Sequence, residues 1–397
     1  MPNLQQPEPL LKSITPKNLL SFSNDSTQIK LKNLNVIIGP NGSGKSNLIE
    51  IINLLRSSPY DMRSVIRKGG GVTEWVWKGE PDAIASIDAV IDNPRGQQPL
   101  RHFISFYEDN QRFCLKDESI ANEHSYYGDA SKPYFYYSYN NGAPLVKKFE
   151  SDPEKQLTKE TVEKDISILA QRRDPENYPV IFYLSTVYDK IRIYREWAFG
   201  RNAVFREPQK ADMRNDILEE DFSNLGLFLN RLELIPKAKK SIIEGLRDFY
   251  EGFEDFRISI NSGTVQVYFI EGNYSIPATR LSDGTLRYLC LLAILCDPDP
   301  PSLICIEEPE LGLHPDILPK IADLFKSASQ RTQLIITTHS DILVDAMTDQ
   351  PESIIVCEKH SGKTVMNHLD AVKINKWLEK YRLGELWTSG KLGGTRW

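Results

Sequence analysis

Apolar residues follow two patterns along this chain: short apolar or alternating runs, which predict strands, and apolar residues at helical spacing, which predict helices. Leu34-Asn35-Val36-Ile37-Ile38 is a short, mostly apolar run, which suits a strand buried on both faces. From Lys45 to about Arg56 the apolar residues recur at helical spacing, so a helix follows that strand. After position 280 the alternation returns as the helix LRYLCLLAIL, the strand SLICIEE, the helix PDILPKIADLFKSAS and the strands QLIITT and SIIVCEK. Strands that alternate with helices predict a mostly parallel sheet covered on both faces.

The remaining patterns predict two further regions. Residues 72–148 alternate in polarity and are rich in aromatic and β-branched types, as in VTEWVWKG and PYFYYSYNNG, which predicts antiparallel strands. Residues from about 155 to 250 have a helical pattern that begins with EKQLTKETVEKDISILAQ, and strand patterns return in FRISI and TVQVYFIEG. We therefore predict an α/β fold made of an N-terminal lobe with an antiparallel β subdomain (1–150), a helical insertion (151–255), a C-terminal lobe (256–372) and a tail (373–397).

Composition narrows the class of protein. The 397 residues are 40% apolar, which is enough for a sizeable core, and 48 Lys+Arg against 54 Asp+Glu give a net charge of −6. Proteins that bind nucleic acid through bulk charge are usually basic, so any DNA contact here needs a local patch or a partner. The five cysteines lack the close spacing of a zinc site. The chain shows neither a signal peptide nor an apolar run of about 20 residues, so we expect a cytoplasmic protein with no membrane span.

Residues 39–46 carry the first motif with a definite chemistry. Gly-Pro-Asn-Gly-Ser-Gly-Lys-Ser matches the pattern G-x-x-x-x-G-K-[ST] between a predicted strand and a predicted helix. The glycines let the backbone approach an anion closely, and the loop and helix N–H groups form an anion-binding concavity. Lys45 adds a cation for the phosphates and Ser46 a hydroxyl for Mg²⁺. The predicted ATP-binding residues of this segment are Gly39, Pro40, Asn41, Gly42, Ser43, Gly44, Lys45, Ser46 and Asn47.

Three later segments add groups that act on phosphate. Glu307 and Glu308 end an apolar strand, where two carboxylates are costly without a role, so we assign Glu307 to Mg²⁺ support and Glu308 to the base that orients the attacking water. Ser282 and Gly284 open a helix and form a second anion site, although a plain Ser N-cap explains that segment better when it is taken alone. His339 follows a strand and could contact the γ-phosphate or the water.

Together and in this order, these segments resemble the ABC-type ATPase head of the SMC, RecF and overcoming-lysogenization-defect (OLD) families. The correspondence places Walker A at Gly39–Ser46, the signature motif at Leu281–Thr285, Walker B at Ile304–Glu308 and the switch histidine at His339. Glu310-Leu311-Gly312-Leu313-His314-Pro315 is similar to the E-x-x-L-H-P form of the D-loop on the RecF and OLD side. The resemblance implies a P-loop head that binds ATP and Mg²⁺ as a head-to-head homodimer, each ATP lying between Walker A of one copy and the signature motif of the other.

This sequence departs from the family pattern in several places. Glu307 stands where ABC heads usually have Asp, and Gln171 is the candidate for the Q-loop glutamine and a metal contact. There is no long coiled coil, and the 57 residues after Ser340 are too few for the TOPRIM nuclease domain of OLD proteins. The chain therefore resembles a stand-alone AAA-family ATPase, which implies a separate effector protein. The tail LGELWTSGKLGGTRW is similar to the ends of bacterial ATPases encoded beside a small TOPRIM-like partner in anti-phage cassettes, which implies a TOPRIM-like effector.

Two other functions stay open on the sequence alone. A RecF-type repair ATPase would bind DNA, and the basic clusters at Arg172-Arg173, Arg192 to Arg195 and 237–240 could contact its phosphates, although such clusters are more often a solvated face. A nucleotide-gated scaffold would bind ATP in order to assemble, with turnover incidental. The aromatic run Tyr134 to Tyr139 could stack on bases, although sheet packing is the better explanation.

Overall fold

The computed structural model describes residues 8–80, 82–125, 133–140, 143–146, 158–159, 162–163, 165–197 and 200–394. The strands are β1 Leu11–Lys17, β2 Ile29–Lys30, β3 Leu34–Ile38, β4 Ala85–Ile91, β5 Leu100–Asp109, β6 Arg112–Asn122, β7 Phe135–Asn140, β8 Ala143–Val146, β9 Thr158–Lys159, β10 Arg192–Tyr194, β11 Gln209–Lys210, β12 Asp255–Asn261, β13 Thr264–Glu271, β14 Tyr274–Pro277, β15 Leu303–Glu307, β16 Gln333–Thr337, β17 Ile354–His360 and β18 Lys363–His368. The helices are α1 Lys45–Ser57, α2 Met62–Lys68, α3 Val72–Trp75, α4 Ile168–Gln171, α5 Pro179–Asp189, α6 Leu225–Glu233, α7 Pro236–Phe249, α8 Asp283–Leu295, α9 Leu318–Ala328, α10 Asp341–Asp345, α11 Ala371–Leu378 and α12 Leu383–Thr388.

The chain forms two compact units. The N-terminal unit consists of Glu8–Ile191, Ile355–Leu369 and the end of the chain from Leu392. The C-terminal unit consists of Arg192–Ile354 and Asp370–Lys391. Among the described helices, none has both the length and the apolar character needed to cross a membrane.

The N-terminal unit contains an antiparallel sheet of eight strands in the order β2-β1-β4-β5-β6-β7-β8-β9. Its longest hairpin joins β5 to β6 through a two-residue turn, Asn110 and Gln111. Both residues have positive φ, which a two-residue turn needs in order to match the twist of the two strands. β3 lies apart from this sheet and beside β17, which pairs with β18 in antiparallel fashion. The aromatic run packs in the sheet, since Tyr137 is 1% exposed and Tyr139 is 8% exposed. The predicted antiparallel β region is confirmed.

A buried polar cluster attaches α4 and α5 to the eight-stranded sheet. The carboxylate of Glu118 accepts hydrogen bonds from the N–H of Ile168 at 2.8 Å and from the Ser167 hydroxyl, while His102 lies 3.0 Å from the Tyr188 hydroxyl. Burial raises the pKa of Tyr188 well above its ordinary value, so that hydroxyl stays protonated. Because buried polar groups are costly unless they are paired, this cluster fixes where α4 begins.

The C-terminal unit is built around three parallel strands in the order β10-β15-β16, all buried except for the partly exposed Glu307. Helix α8 precedes β15 in sequence, and every residue from Thr285 to Leu295 is buried, in keeping with its almost unbroken apolar run. A second, antiparallel sheet contains β11, β13 and β12, with β14 paired to β13. The strands predicted from FRISI and TVQVYFIEG are therefore confirmed as β12 and β13.

Two local predictions were wrong and a third was incomplete. VTEWVWKG contains the helix α3 rather than a strand, because Val72 and Trp75, three residues apart, are buried together on one helical face. The predicted helical insertion contains the helices α4 to α7 but also β10, which pairs with β15 and is too short to show a pattern. The helix predicted from 155 to 171 lies partly outside the described residues, and the described part contains β9 and the one-turn helix α4.

The tail folds as far as it is described. Leu383, Gly384, Leu386 and Trp387 of α12 are buried, and a Cβ on Gly384 would lie 2.4 Å from the carbonyl oxygen of Asp341, so α12 packs tightly on α10. Trp387 is 2% exposed, whereas Trp397 lies outside the described residues.

Candidate nucleotide-binding and hydrolysis site

The phosphate loop follows the buried strand β3 in the N-terminal unit. Gly39, Gly42 and Gly44 have φ of 153°, 73° and 111°, so the backbone uses the freedom for which the sequence placed glycines there. Asn41, Gly42 and Ser46 are exposed, whereas Ser43 and Lys45 are buried. The outer turn of the loop and Ser46 are therefore accessible to solvent, whereas Ser43 and Lys45 are packed inside the protein.

The hairpin of β17 and β18 supports the loop from behind. A Cβ on Gly39 would lie 2.1 Å from the carbonyl oxygen of Cys357, and a Cβ on Gly44 would lie 2.2 Å from Oγ1 of Thr364. The Thr364 hydroxyl donates to the carbonyl oxygen of Ser43 at 2.6 Å. The Ser21 hydroxyl accepts from the Asn47 amide at 2.6 Å, which ties the first turn of α1 to the same support. These contacts support the observed conformation of the loop.

The start of α1 fits an anion. Its N-cap is Gly44, no side chain caps the helix, and its first turn has no acidic residue. The amino group of Lys45 donates to the carbonyl oxygens of Gly39 at 2.8 Å and Pro40 at 3.0 Å, which places a buried cation at the loop. Ser43 Oγ is buried and has no hydrogen-bond partner within the described part of the chain. A helix N-terminus with uncapped N–H groups and an adjacent lysine fits phosphate, and the exposed Ser46 hydroxyl fits Mg²⁺.

The paired acids end β15 in the C-terminal unit. Glu308 has a left-handed backbone with φ of 45°, and its carboxylate lies 3.7 Å from Nε2 of His339. Arg195 Nε lies 3.5 Å from a carboxylate oxygen of Glu307. The structure thus brings together Glu308 and His339, which sequence reasoning assigned to catalysis from separate motifs. It also places a cation beside Glu307, which sequence reasoning did not anticipate.

Glu310, the first residue of the predicted D-loop, organises the strand ends. One of its carboxylate oxygens accepts hydrogen bonds from the His339 N–H at 2.7 Å and from the Thr338 hydroxyl at 2.8 Å. Burial raises the pKa of the Glu310 carboxyl, and these hydrogen bonds act in the opposite direction. The backbone of His339 is therefore held at a defined place, while its ring faces Glu308.

Two side chains from distant segments bind the carbonyl groups of the acid pair. The indole N–H of Trp197 donates to the carbonyl oxygen of Glu307 at 2.7 Å, and the Arg287 guanidinium donates to that of Glu308 at 3.3 Å. The guanidinium carbon of Arg287 lies 4.5 Å from the centre of the Trp197 ring, within the range of a cation–π contact. The backbone of the acid pair is thus bound by a stacked pair of side chains.

The predicted signature motif opens α8. Ser282 is the N-cap and its hydroxyl accepts from the Thr285 N–H at 3.1 Å, while Ser282 and Asp283 are both exposed. Arg206 forms an ion pair with Asp283 and donates to the carbonyl oxygen of Leu281 at 2.7 Å. Gly284 lies close to the D-loop, because a Cβ there would meet the carbonyl oxygen of Gly312 at 3.1 Å. Arg206 thus holds Leu281 and Asp283 in place, while Ser282 remains exposed to solvent.

Gln171 is held within its own turn. Its amide donates to the carbonyl oxygens of Ile166 at 2.7 Å and Glu163 at 3.2 Å and accepts from the Glu163 N–H at 2.8 Å. A metal contact by Gln171 would require these bonds to open. That role stays a prediction.

Comparison with known proteins identifies the family. The family described as "AAA domain, putative AbiEii toxin, Type IV TA system" matches residues 34–345, from the start of β3 to the end of α10. The chain belongs to this family. Among curated proteins, the comparison found no match.

Solved structures place this AAA-domain chain in the fold of SMC heads. It is similar to an SmcHead bound to the C-winged helix domain of ScpA, with a TM-score of 0.60 and 16% identity over 93% of this chain and 100% of that one. It is also similar to an Smc head with an extended coiled coil bound to the C-terminal domain of ScpA from Pyrococcus furiosus, with a TM-score of 0.59 and 14% identity over 94% and 99%. An Smc head with a coiled coil and joint from Pyrococcus yayanosii gives 0.50 and 14% over 94% and 99%. The predicted ABC-type P-loop ATPase fold is confirmed.

Sequence reasoning missed several residues that shape the site of this AAA-domain protein. Arg287 had a signal, since it is the one charged residue in the apolar run LRYLCLLAIL. Trp197 and Arg206 had none, because each lies in a segment with no motif and acts through a contact distant in sequence. Thr364 had none either, since it supports the phosphate loop from 321 residues away along the chain.

Proposed function

We propose that this chain binds ATP with Mg²⁺, hydrolyses it slowly and uses it as a switch for dimerisation. The observation that carries the proposal is the Glu308–His339 pair, 3.7 Å apart, in a chain whose phosphate loop has the shape and charge for ATP. The loop lies in the N-terminal unit and the pair lies in the C-terminal unit.

Each side chain then has a role that its surroundings support. The loop N–H groups and Lys45 bind the phosphates, and Glu308 accepts a proton from the attacking water and orients it toward the γ-phosphate. His339 orients the same water or the phosphate. Ser46 and Glu307 would hold Mg²⁺, which when bound neutralises charge on the phosphates. The contact between Arg195 and Glu307 favours an indirect role of Glu307, through water.

The second proposed element is a homodimer. Ser282 and Gly284 lie at the N-terminus of a helix of 13 residues, where an anion is favoured. The first turn of this helix contains the acidic Asp283, which Arg206 pairs with. A γ-phosphate held by another copy of this chain would complete that site. Binding of ATP and dimerisation are then one event, and the nucleotide acts as a switch.

We further propose a separate effector protein, of TOPRIM-like nuclease type, in an anti-phage system. The similar Smc heads bound to domains of ScpA support the general idea of a head with a protein partner. Direct DNA binding receives less support from the basic clusters. Arg195 contacts Glu307, Arg173 donates to the carbonyl oxygen of Pro59, and Lys239 pairs with Glu233. Arg192 is 9% exposed. These four cations therefore face the protein rather than a duplex, whereas Lys237 and Lys240 are exposed.

The test combines ATP binding, turnover and mass measurement on three variants. Lys45→Ala should abolish ATP binding, because the phosphates lose their buried cation. Glu308→Gln should keep ATP binding and lower kcat by about 100-fold or more, because water loses its base. It should also accumulate dimers with ATP, observed by light scattering after size exclusion. Lys68→Ala, an exposed lysine near the end of α2, is the matched control and should behave as wild type.

Tight ATP binding by Lys45→Ala would refute the phosphate site. Unchanged turnover in Glu308→Gln would refute the catalytic assignment, and a monomer at saturating ATP in that variant would refute the dimer. A purification of the native complex with ATP tests the effector, and recovery of DNA instead of a protein would favour the RecF-type alternative.

A further inference from the structure

The backbone of Glu308 needs an external restraint. A glutamate with φ of 45° is in the left-handed region, which is unfavourable for a residue with a side chain. Such a conformation persists only where neighbouring groups hold it. At this place the conformation also directs a side chain that the proposed function treats as the catalytic base.

Four hydrogen bonds hold the two peptide groups of the acid pair. The N–H of Glu308 donates to the carbonyl oxygen of Thr337 at 3.0 Å, which belongs to the neighbouring strand β16. The carbonyl oxygen of Glu308 accepts from Leu311 at 3.2 Å and from Arg287 at 3.3 Å. The carbonyl oxygen of Glu307 accepts from the Trp197 indole at 2.7 Å. Two of the four bonds therefore come from side chains that stack on one another.

Arg287 is an unusual residue for its position. It is 7% exposed within an apolar helix, and burial lowers the pKa of its guanidinium to about 10, with Glu310 and Glu308 opposing that shift. A buried cation is costly unless its contacts compensate. The contacts of Arg287 include the Trp197 ring and the Glu308 carbonyl group.

The helix that carries Arg287 lies close to the D-loop. A Cβ on Gly284 would lie 3.1 Å from the carbonyl oxygen of Gly312, and a Cβ on Gly312 would lie 3.7 Å from the Arg287 guanidinium. The D-loop therefore passes close to the start of α8 and to the Arg287 side chain.

We propose that Arg287 and Trp197 are positioning residues that hold the left-handed backbone of Glu308 and so aim its carboxylate for ATP hydrolysis. This inference rests on the proposed ATPase function. Neither side chain touches the nucleotide in the proposal, because both bind the backbone of the acid pair. Their loss should therefore affect kcat and leave ATP binding unchanged.

The experiment uses two conservative variants of the full chain. Arg287→Lys keeps the charge and loses the planar guanidinium that stacks and donates. Trp197→Phe keeps an aromatic ring and loses the N–H donor. Each should lower kcat by about 10-fold or more, with KM and ATP-dependent dimerisation within about 3-fold of wild type. The matched control is Arg231→Lys, because Arg231 stacks 4.6 Å from the Phe228 ring and pairs with Asp297, outside the motifs.

The possible outcomes distinguish failure of the positioning role from failure of the proposed ATPase function. Wild-type kcat in both variants would overturn the positioning role. Equal loss of kcat, ATP binding and melting temperature in Arg287→Lys, Trp197→Phe and Arg231→Lys would also overturn it, because a purely structural role has that signature. If wild type itself does not hydrolyse ATP, the proposed function fails and this inference fails with it. Should Arg287→Lys not fold, Trp197→Phe decides.

Discussion

The phosphate loop offers a comparison between two glycines that share a backbone type and differ in their surroundings. Gly44 has φ of 111°, and a Cβ there would lie 2.2 Å from Oγ1 of Thr364 and 2.9 Å from Oγ of Ser21. Gly42 has φ of 73°, and a Cβ there would meet nothing within 4 Å. Alanine at either position therefore strains the backbone, and only at Gly44 does it also overlap the β18 support.

The magnitudes follow from these two effects. A left-handed backbone costs an L-residue roughly 1–2 kcal/mol, and this applies to both variants. Overlap with packed atoms adds roughly 1–3 kcal/mol for Gly44→Ala, because Thr364 is held by its bonds to Ser43 and Ser21 at 2.6 Å each and cannot retreat freely. The reduced freedom of the unfolded chain is the same for both variants and cancels in their difference. We therefore expect Gly44→Ala to lose about 1–3 kcal/mol more than Gly42→Ala.

Urea unfolding followed by circular dichroism measures both values, and a double-mutant cycle isolates the overlap. Thr364→Ala alone should destabilise by about 1 kcal/mol through its lost hydrogen bonds. The double variant with Gly44→Ala should be about 1–3 kcal/mol more stable than the sum of the two single losses predicts. The double variant with Gly42→Ala should show additive losses. Equal losses for the two glycine variants, or additivity in the Gly44 cycle, would refute the claim that β18 supports the loop by direct contact.

Three further predictions test other parts of the molecule. Asp283→Ala should lower stability by roughly 1–2 kcal/mol by leaving the buried Arg206 without its carboxylate, and an unchanged melting temperature would contradict this. Trp387→Ala should cost roughly 3–5 kcal/mol by emptying a buried site, whereas a loss below about 1 kcal/mol would show that α12 does not contribute to the core. Burial raises the pKa of the Glu310 carboxyl above its ordinary value of 4.5, so the folded chain binds this proton more tightly than the unfolded chain does. The free energy of unfolding therefore falls as pH rises from about 4.5 through the folded-state pKa. Glu310→Gln should therefore melt higher than wild type at about pH 7.5 and not at about pH 4, and the reverse order would refute the burial argument.

Residues 39–46 and Glu308 could be predicted from the sequence because the chemistry of phosphate demands contiguous residue types. Three glycines, a lysine and a serine within eight positions are needed for one loop, so the pattern is visible without the fold. The strand before the loop and the helix after it are likewise local, since the spacing of apolar residues reflects which face is buried. Glu308 and His339 were each recognised at a strand end, although their separation was unknown.

Contacts distant in sequence were decided by the tertiary structure alone. Trp197 binds Glu307 across 110 positions of sequence, and Thr364 binds Ser43 across 321 positions. No local sequence pattern could predict either contact. The strand β10 was missed for the same reason, because its three residues are defined by their pairing with β15. The sequence by itself determined which groups we propose for phosphate binding. Only the fold decided what supports those groups, since a buried carbonyl or a left-handed backbone can be satisfied by any residue that the packing brings near it.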